Sequence, residues 1–245
     1  MSASCFAVRL SHFLKLTQKE EDALAALEEN ERSYRGGDCI RKQGQVADEL
    51  YIVKSGWIYS HIELDRGKRQ IVRLDFPGDL VGTSSVAFGR ATNSLTAVTD
   101  CTVCPLERTA LVALFERHTR IGTLLFLISQ AERVALDDRL ASVGRTSAKS
   151  RIAALLLEIV VRHRIMGEGG LDEVDIPMTQ EEIGDATGLT SVHVNRMMQE
   201  LSRDGLISRK RNAVKIVEED KLVDLASYVN RYAMIDTSWL PPPAM

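Results

Sequence analysis

Residues 178–207, MTQEEIGDATGLTSVHVNRMMQELSRDGLI, carry two helix starts and the turn between them. Thr179 followed three residues later by Glu182 is a capping box, and Met178 and Ile183 occupy the flanking hydrophobic-staple positions. The first helix runs out near Gly188. Thr190 caps a second one, with Leu189 and Val194 as staple and His193 where a capping box has an acid. In that second helix Val194, Met197, Met198 and Leu201 follow the spacing of one buried stripe, and Val192, Asn195, Arg196, Gln199 and Arg203 lie opposite. Two short helices joined by a Gly-containing turn make a helix-turn-helix, whose second helix can enter the DNA major groove. The candidates for base edges are then Ser191, Val192, His193, Asn195 and Arg196, since Asn pairs with adenine and Arg with guanine. The competing reading of the same pattern is a surface helical hairpin.

The flanking sequence favours DNA. Leu206-Ile207 begins a strand, residues 208–212 turn, and residues 213–217 return, which reads as a two-stranded wing. Residues 209–215 hold four basic side chains and no acid, a composition suited to phosphate. The candidate phosphate contacts are Thr179, Gln180, Thr190, Gln199, Lys210 and Arg211. The 245-residue chain has a net charge of only −3, so the electrostatic case is local: residues 189–217 carry six Lys/Arg against two acids, and residues 18–32 are acidic. Its 44% hydrophobic and 27% charged composition is that of an ordinary globular chain. With no apolar run near membrane length and no signal pattern, the expected location is cytoplasmic, without a membrane partner.

Upstream, turn signals at residues 36–38, 44, 55–56, 65–67 and 77–79 separate β-rich stretches 49–53, 57–64 and 69–76, predicting a β-roll of about eight strands. A helical pattern then runs from near Arg108 to Val143. Ile121, Leu124, Ile128, Ala131 and Ala135 recur at alternating three- and four-residue steps, the seam of a coiled-coil-like homodimer. Residues 144–147 break the pattern, and 151–164 form a further helix around Leu155-Leu156-Leu157. The chain therefore divides into a roll (1–107), a dimerisation helix (108–144), a winged helix-turn-helix (145–220), and a tail (221–245) that begins as a helix through Tyr232. The fold class is α+β.

This order of elements resembles the CRP/FNR superfamily of bacterial transcription regulators, on its FixK-like side. The likeness is sharpest in Phe76-Pro77-Gly78-Asp79-Leu80-Val81-Gly82, in residues 151–158 (RIAALLLE) and in Val194-Asn195-Arg196. It implies a cyclic-nucleotide-binding-like roll (a double-stranded β-helix, or jelly roll), a homodimer on palindromic double-stranded DNA and RNA polymerase as a further partner. Arg196 matches the family's base-reading arginine, and Val192 stands where many members carry an acid. The effector pocket is altered. Around Gly82, Thr83 replaces the ribose-binding glutamate and Asn93 the phosphate-binding arginine, with Arg90 and Ser94 nearby. A neutral amide does not replace a charged clamp, so no cofactor is expected and cyclic AMP is not the expected effector.

Cys104 resembles the roll cysteine of iron–sulfur members, yet the N-terminal segment offers only Cys5. Cys101 and Cys104 have knuckle spacing, but in a strand they point to opposite faces. No metal site is expected. A redox- or metal-responsive regulator using Cys39, Cys101 and Cys104 is the alternative, with Cys39 and Cys104 as candidate redox thiols. A dimeric ligand-binding or scaffold module that does not read DNA is a second alternative. No phosphate loop, nucleophile elbow or zinc-protease motif argues for an enzyme.

Overall fold

The computed structural model describes residues 4–166, 173–210 and 213–243. Contacts divide the chain into two compact units, Met1–Gln130 with Ile235–Met245, and Ala131–Met234. The first unit holds α1 (Cys5–Ser11), α2 (Gln18–Ala26), β1 (Arg32–Tyr34), β2 (Cys39–Arg41), β3 (Glu49–Ser55), β4 (Ile58–Glu63), β5 (Arg69–Asp75), β6 (Leu80–Val81), α3 (Ser85–Phe88), β7 (Ser94–Ala97), β8 (Cys101–Glu107) and α4 (Arg108–Arg117). A long helix, α5 (Thr119–Arg145), begins in this unit and ends in the other. The second unit continues with α6 (Ala148–Ile165), β9 (Glu173–Asp175), α7 (Gln180–Thr187), α8 (Ser191–Arg203), β10 (Ile207–Lys210), β11 (Ala213–Ile216) and α9 (Glu219–Ala226). No helix among the described residues is long and apolar enough to cross a membrane.

The expected roll is present as two antiparallel four-stranded sheets, β1-β8-β3-β6 and β2-β7-β4-β5. Their inner faces meet in one core, with Tyr51, Val53, Val81 and Val103 from the first sheet against Ile58, Leu95 and Ala97 from the second. The Pro77-Gly78-Asp79 turn is held from three sides. Asp79 accepts from the Phe76 N–H at 2.8 Å, Gly78 N–H donates to the Val53 carbonyl at 2.7 Å, and Arg9 of α1 pairs with Asp79 at 2.9 Å with both side chains buried. Gly78 has φ +80, and a Cβ there would lie 2.7 Å from both the Arg9 Cβ and the Cys5 carbonyl, so only glycine lets α1 pack on the turn.

A second buried ion pair fixes the start of α5. Glu20 completes the capping box of α2 with Thr17, and Arg120 grips the same carboxylate at 3.0 and 2.8 Å while donating to the Lys15 carbonyl at 2.7 Å. Burial pushes the Glu20 carboxyl up, but the hydrogen bonds from Arg120 and Thr17 outweigh it and hold the group below its ordinary value.

Four sequence expectations are corrected. The helical stretch from Arg108 is two helices, broken at His118, whose φ −131 and ψ 64 are not helical. Gly144 does not end α5, which runs to Arg145 because a lone glycine costs a helix only about 1 kcal/mol. The tail helix stops at Ala226, where Ser227 adopts a left-handed conformation, rather than at Tyr232. The wing has three strands, β10-β11-β9, because Val174 of β9 supplies a buried side chain beside Val214.

The α5 face expected to form a dimer seam is largely buried within this chain. Ile121, Leu124 and Ile128 are buried by this chain alone, and Ala131 and Ala135 are half-buried on the same face, with Ala135 lining a cavity inside the second unit. The exposed apolar side chains of α5 are Phe126 at 59%, Leu136, Leu140 at 75% and Val143. At about 100° per residue, Phe126, Leu136 and Leu140 centre roughly 140° round the helix from the expected seam.

Arg120→Leu should leave Glu20 buried without its cation and cost about 3–5 kcal/mol in urea unfolding at neutral pH. Because the folded Glu20 value is depressed, that stabilisation is present above the unfolded glutamate pKa of about 4.3 and is lost as pH falls through the folded value. The penalty of the substitution should shrink over that same interval. A pH-independent penalty would show that the pair is not its source.

Candidate nucleic-acid interface

The helix-turn-helix forms as its caps predict. Thr179 accepts from the Glu182 N–H at 3.1 Å, and the Glu182 carboxylate accepts from the Thr179 N–H at 2.8 Å. Helix α7 ends in left-handed Gly188, and the Leu189 N–H donates to the Gly184 carbonyl at 3.0 Å. Gly184, which sequence reading passed over, sets how tight this turn is: a Cβ at that position would lie 2.5 Å from the Leu189 carbonyl. A glycine directly after Ile183 in an otherwise good helix is the signal that could have found it. Thr190 accepts from the His193 N–H at 3.4 Å, a long single cap consistent with a half box.

Helix α8 buries Val194, Met197, Met198 and Leu201, all four residues of the expected stripe. It packs on α6, whose Ile152, Leu155, Leu156 and Ile159 are buried, and on α7. Arg151 of α6 donates to the Thr187 carbonyl at 2.9 Å, meeting an unpaired backbone acceptor in the last turn of α7. Lys149 pairs with Asp204 just past the end of α8.

Ser191, Val192, His193, Asn195, Arg196 and Gln199 are all exposed, and Val192 at 77% is the most exposed large apolar side chain among the described residues. Arg196 meets Glu200 only at 3.9 Å with both side chains well exposed, a pair too weak to hold the guanidinium against a base. Lys210 is exposed at the end of β10. Arg211 lies outside the described residues. Two expected phosphate contacts are less free than Lys210. The Thr179 hydroxyl is engaged with Glu182 at 3.0 Å, and Gln180 is half-buried with its Oε1 lacking a partner. Thr190 is exposed, though its oxygen serves the cap of α8.

In the roll, the residues of the altered pocket are tied into the protein. Ser94 is fully buried, accepting from the Gln43 N–H at 2.9 Å and donating to Glu63 at 3.1 Å. Arg90 is exposed and donates to the Gly44 carbonyl at 2.9 Å, and Asn93 accepts from the Thr92 hydroxyl at 3.4 Å. Thr83 is exposed. The cation nearest Gly82 is one the sequence reading missed. Arg41, only 5% exposed, donates to the Glu49 carbonyl at 2.9 Å and the Ser85 hydroxyl at 3.2 Å, and a Cβ on residue 82 would lie 2.5 Å from its Nη2. Nothing in the local sequence marks Arg41, because in a strand three residues long no alternation is readable.

The cysteines are all free thiols. Burial pushes Cys5 up to about 12 and both Cys101 and Cys104 up to about 11, so at neutral pH they stay protonated and poorly nucleophilic. Cys101 sits in the inter-sheet core, while Cys104 donates to the Glu28 carbonyl at 3.6 Å, so the two do not converge on a common ligand. Cys39 is exposed, with its pKa raised by partial burial. Among the described residues no group of three or more His, Cys, Asp or Glu is arranged to hold a metal ion.

Comparison with known proteins matches residues 31–118 to the cyclic nucleotide-binding domain and residues 150–225 to the Crp-like helix-turn-helix domain. The chain is 29% identical over 211 residues to the transcriptional activator protein FnrL of Cereibacter sphaeroides, covering 83% of this chain and 84% of that protein. It is 24% identical over 218 residues to the fumarate and nitrate reduction regulatory protein of Escherichia coli, covering 89% and 87%. Among solved structures, FixK2 from Bradyrhizobium japonicum superposes with a TM-score of 0.71 at 25% identity, over 82% of this chain and 98% of that one. With a nucleotide-binding-type roll, a helix leading out of it and a Crp-like helix-turn-helix in that order, the chain belongs to the CRP/FNR family of DNA-binding transcription regulators.

Proposed function

We propose that the protein acts in the cytoplasm as a FixK-like homodimer that reads a palindromic operator, one α8 per major groove, and engages RNA polymerase from there. The observation that carries this reading is the division of α8 into a fully buried apolar stripe and an exposed face of Val192, Asn195 and Arg196. Within each half-site Arg196 pairs with guanine, Asn195 with adenine, and Val192 packs on a thymine methyl, since an isopropyl group offers no hydrogen bond where an acid would accept one from cytosine. Lys210 and the wing contact phosphate, which sets orientation without reading sequence. The dimer forms along the exposed α5 face of Phe126, Leu136 and Leu140 rather than the buried one. The roll does not take cyclic AMP: Thr83 and Asn93 supply no charge, and Arg41 packs against Gly82 from inside.

The operator, located by a genome-wide binding profile, supports two measurements, and sedimentation of the protein alone gives a third. Arg196→Ala should weaken operator binding by about 1–3 kcal/mol and relax preference at one base pair per half-site; an unchanged base preference would remove Arg196 from the reading set. Replacing thymine by deoxyuridine, which deletes only the methyl, should cost the wild type about 0.8 kcal/mol, or about fourfold, at one step per half-site. Val192→Ser should be indifferent to that replacement, and equal sensitivity in both proteins would assign the methyl contact elsewhere. Leu140→Glu should sediment as a monomer, whereas a persistent dimer would place the interface off this face.

A further inference from the structure

Within the second unit, the last turns of α5, α6, the end of α7 and the segment after α9 line a partly open cavity of about 100 Å³, somewhat smaller than the about 150 Å³ cavity that takes up a benzene ring, so a ring seated there extends toward its open side. Its walls are mostly apolar, including Val143, Ala154, Leu155, Ala186, Ala226 and Val229.

The charges lining it do not balance. Arg231 grips Asp138 at 2.7 and 2.9 Å, and Arg139 pairs with Glu158 at 2.6 Å, so both acids are already matched to a cation. The fifth charged residue, Arg151, has no carboxylate within ion-pair distance among the described residues. Its Nη1 donates to the Thr187 carbonyl, and its Nε is buried without any hydrogen-bond partner. Three cations against two acids leave one uncompensated positive charge, carried on a guanidinium with an unused N–H edge.

A second polar group lines the cavity. Tyr228 is largely desolvated, and its hydroxyl makes no hydrogen bond to the described residues; burial accordingly pushes the phenol up. The residue before it, Ser227, has φ 48, the one non-glycine residue with positive φ among the described residues. Such backbone strain persists where the surrounding structure holds it, and here it lies on the cavity wall.

We propose that this cavity is a binding site for a small aromatic carboxylate, its carboxylate on Arg151, its ring between the alanine-rich walls, and a ring hydroxyl within reach of Tyr228. A carboxylate satisfies the unused guanidinium edge side-on and cancels the excess charge. A flat ring suits walls in which alanine stands where larger side chains would fill the space. The site lies outside the β-roll and does not depend on the DNA reading above. Its occupancy adds contacts joining α5, α6 and the C-terminal segment.

Calorimetric titration of the full-length protein with benzoate, 3-hydroxybenzoate and 4-hydroxybenzoate tests it. Saturable binding of benzoate is expected, with at least one hydroxybenzoate about fivefold tighter, the worth of one net hydrogen bond. Tyr228→Phe should erase that preference while leaving benzoate affinity unchanged. Arg151→Met should weaken all three by about tenfold or more, as expected for loss of a charge-assisted pair. Ala154→Leu, which fills the cavity and leaves Arg151 in place, should abolish binding and covers the case in which Arg151→Met fails to fold. No saturable binding of any probe, or binding indifferent to Arg151→Met and Ala154→Leu, overturns the proposal.

Discussion

Burial of Val194, Met197, Met198 and Leu201 in the second unit is the constraint on which the candidate interface depends. Each such side chain contributes about 1.5–3 kcal/mol when removed from water, so together they rival the net stability of a whole domain, about 5–15 kcal/mol. The helical period then leaves no choice for the opposite face. With these four inside, Val192, Asn195 and Arg196 must point outward, including an isopropyl group left 77% exposed. An apolar side chain held in water by the demands of its neighbours is poised to gain from a surface that covers it.

The turn that aims α8 relies on backbone contact rather than on side chains. The Leu189 carbonyl approaches Gly184 more closely than any Cβ would permit, and the caps of Thr179 and Thr190 define where each helix begins. In the first unit the same principle recurs at Gly78, where α1 lies directly on the turn and Arg9 reaches the buried Asp79. Both places join secondary elements through a glycine flanked by strongly hydrogen-bonded neighbours, which fixes orientation more tightly than apolar packing alone.

The long helix shows how one periodic pattern can serve two surfaces. Its regular face, from Ile121 to Ala135, is covered by the chain itself, and the less regular set of Phe126, Leu136, Leu140 and Val143 is left facing water. A helix used this way carries apolar side chains around much of its circumference, which blurs the periodicity on which a sequence reading relies.

What the sequence by itself determined is local. Caps, turn residues and the spacing of apolar side chains act within a few residues, so the helix-turn-helix, its buried stripe, the long roll strands β3, β4 and β5 and the β10-β11 hairpin of the wing were legible in the sequence. The tertiary structure alone decided which partner each surface meets. It turned the regular face of α5 inward, brought β9 to the wing, placed Arg41 beneath Gly82, buried Cys104 away from Cys101, and left Arg151 without an acid. Each of these joins residues distant in the chain, and periodicity reports that a face is buried without reporting what buries it.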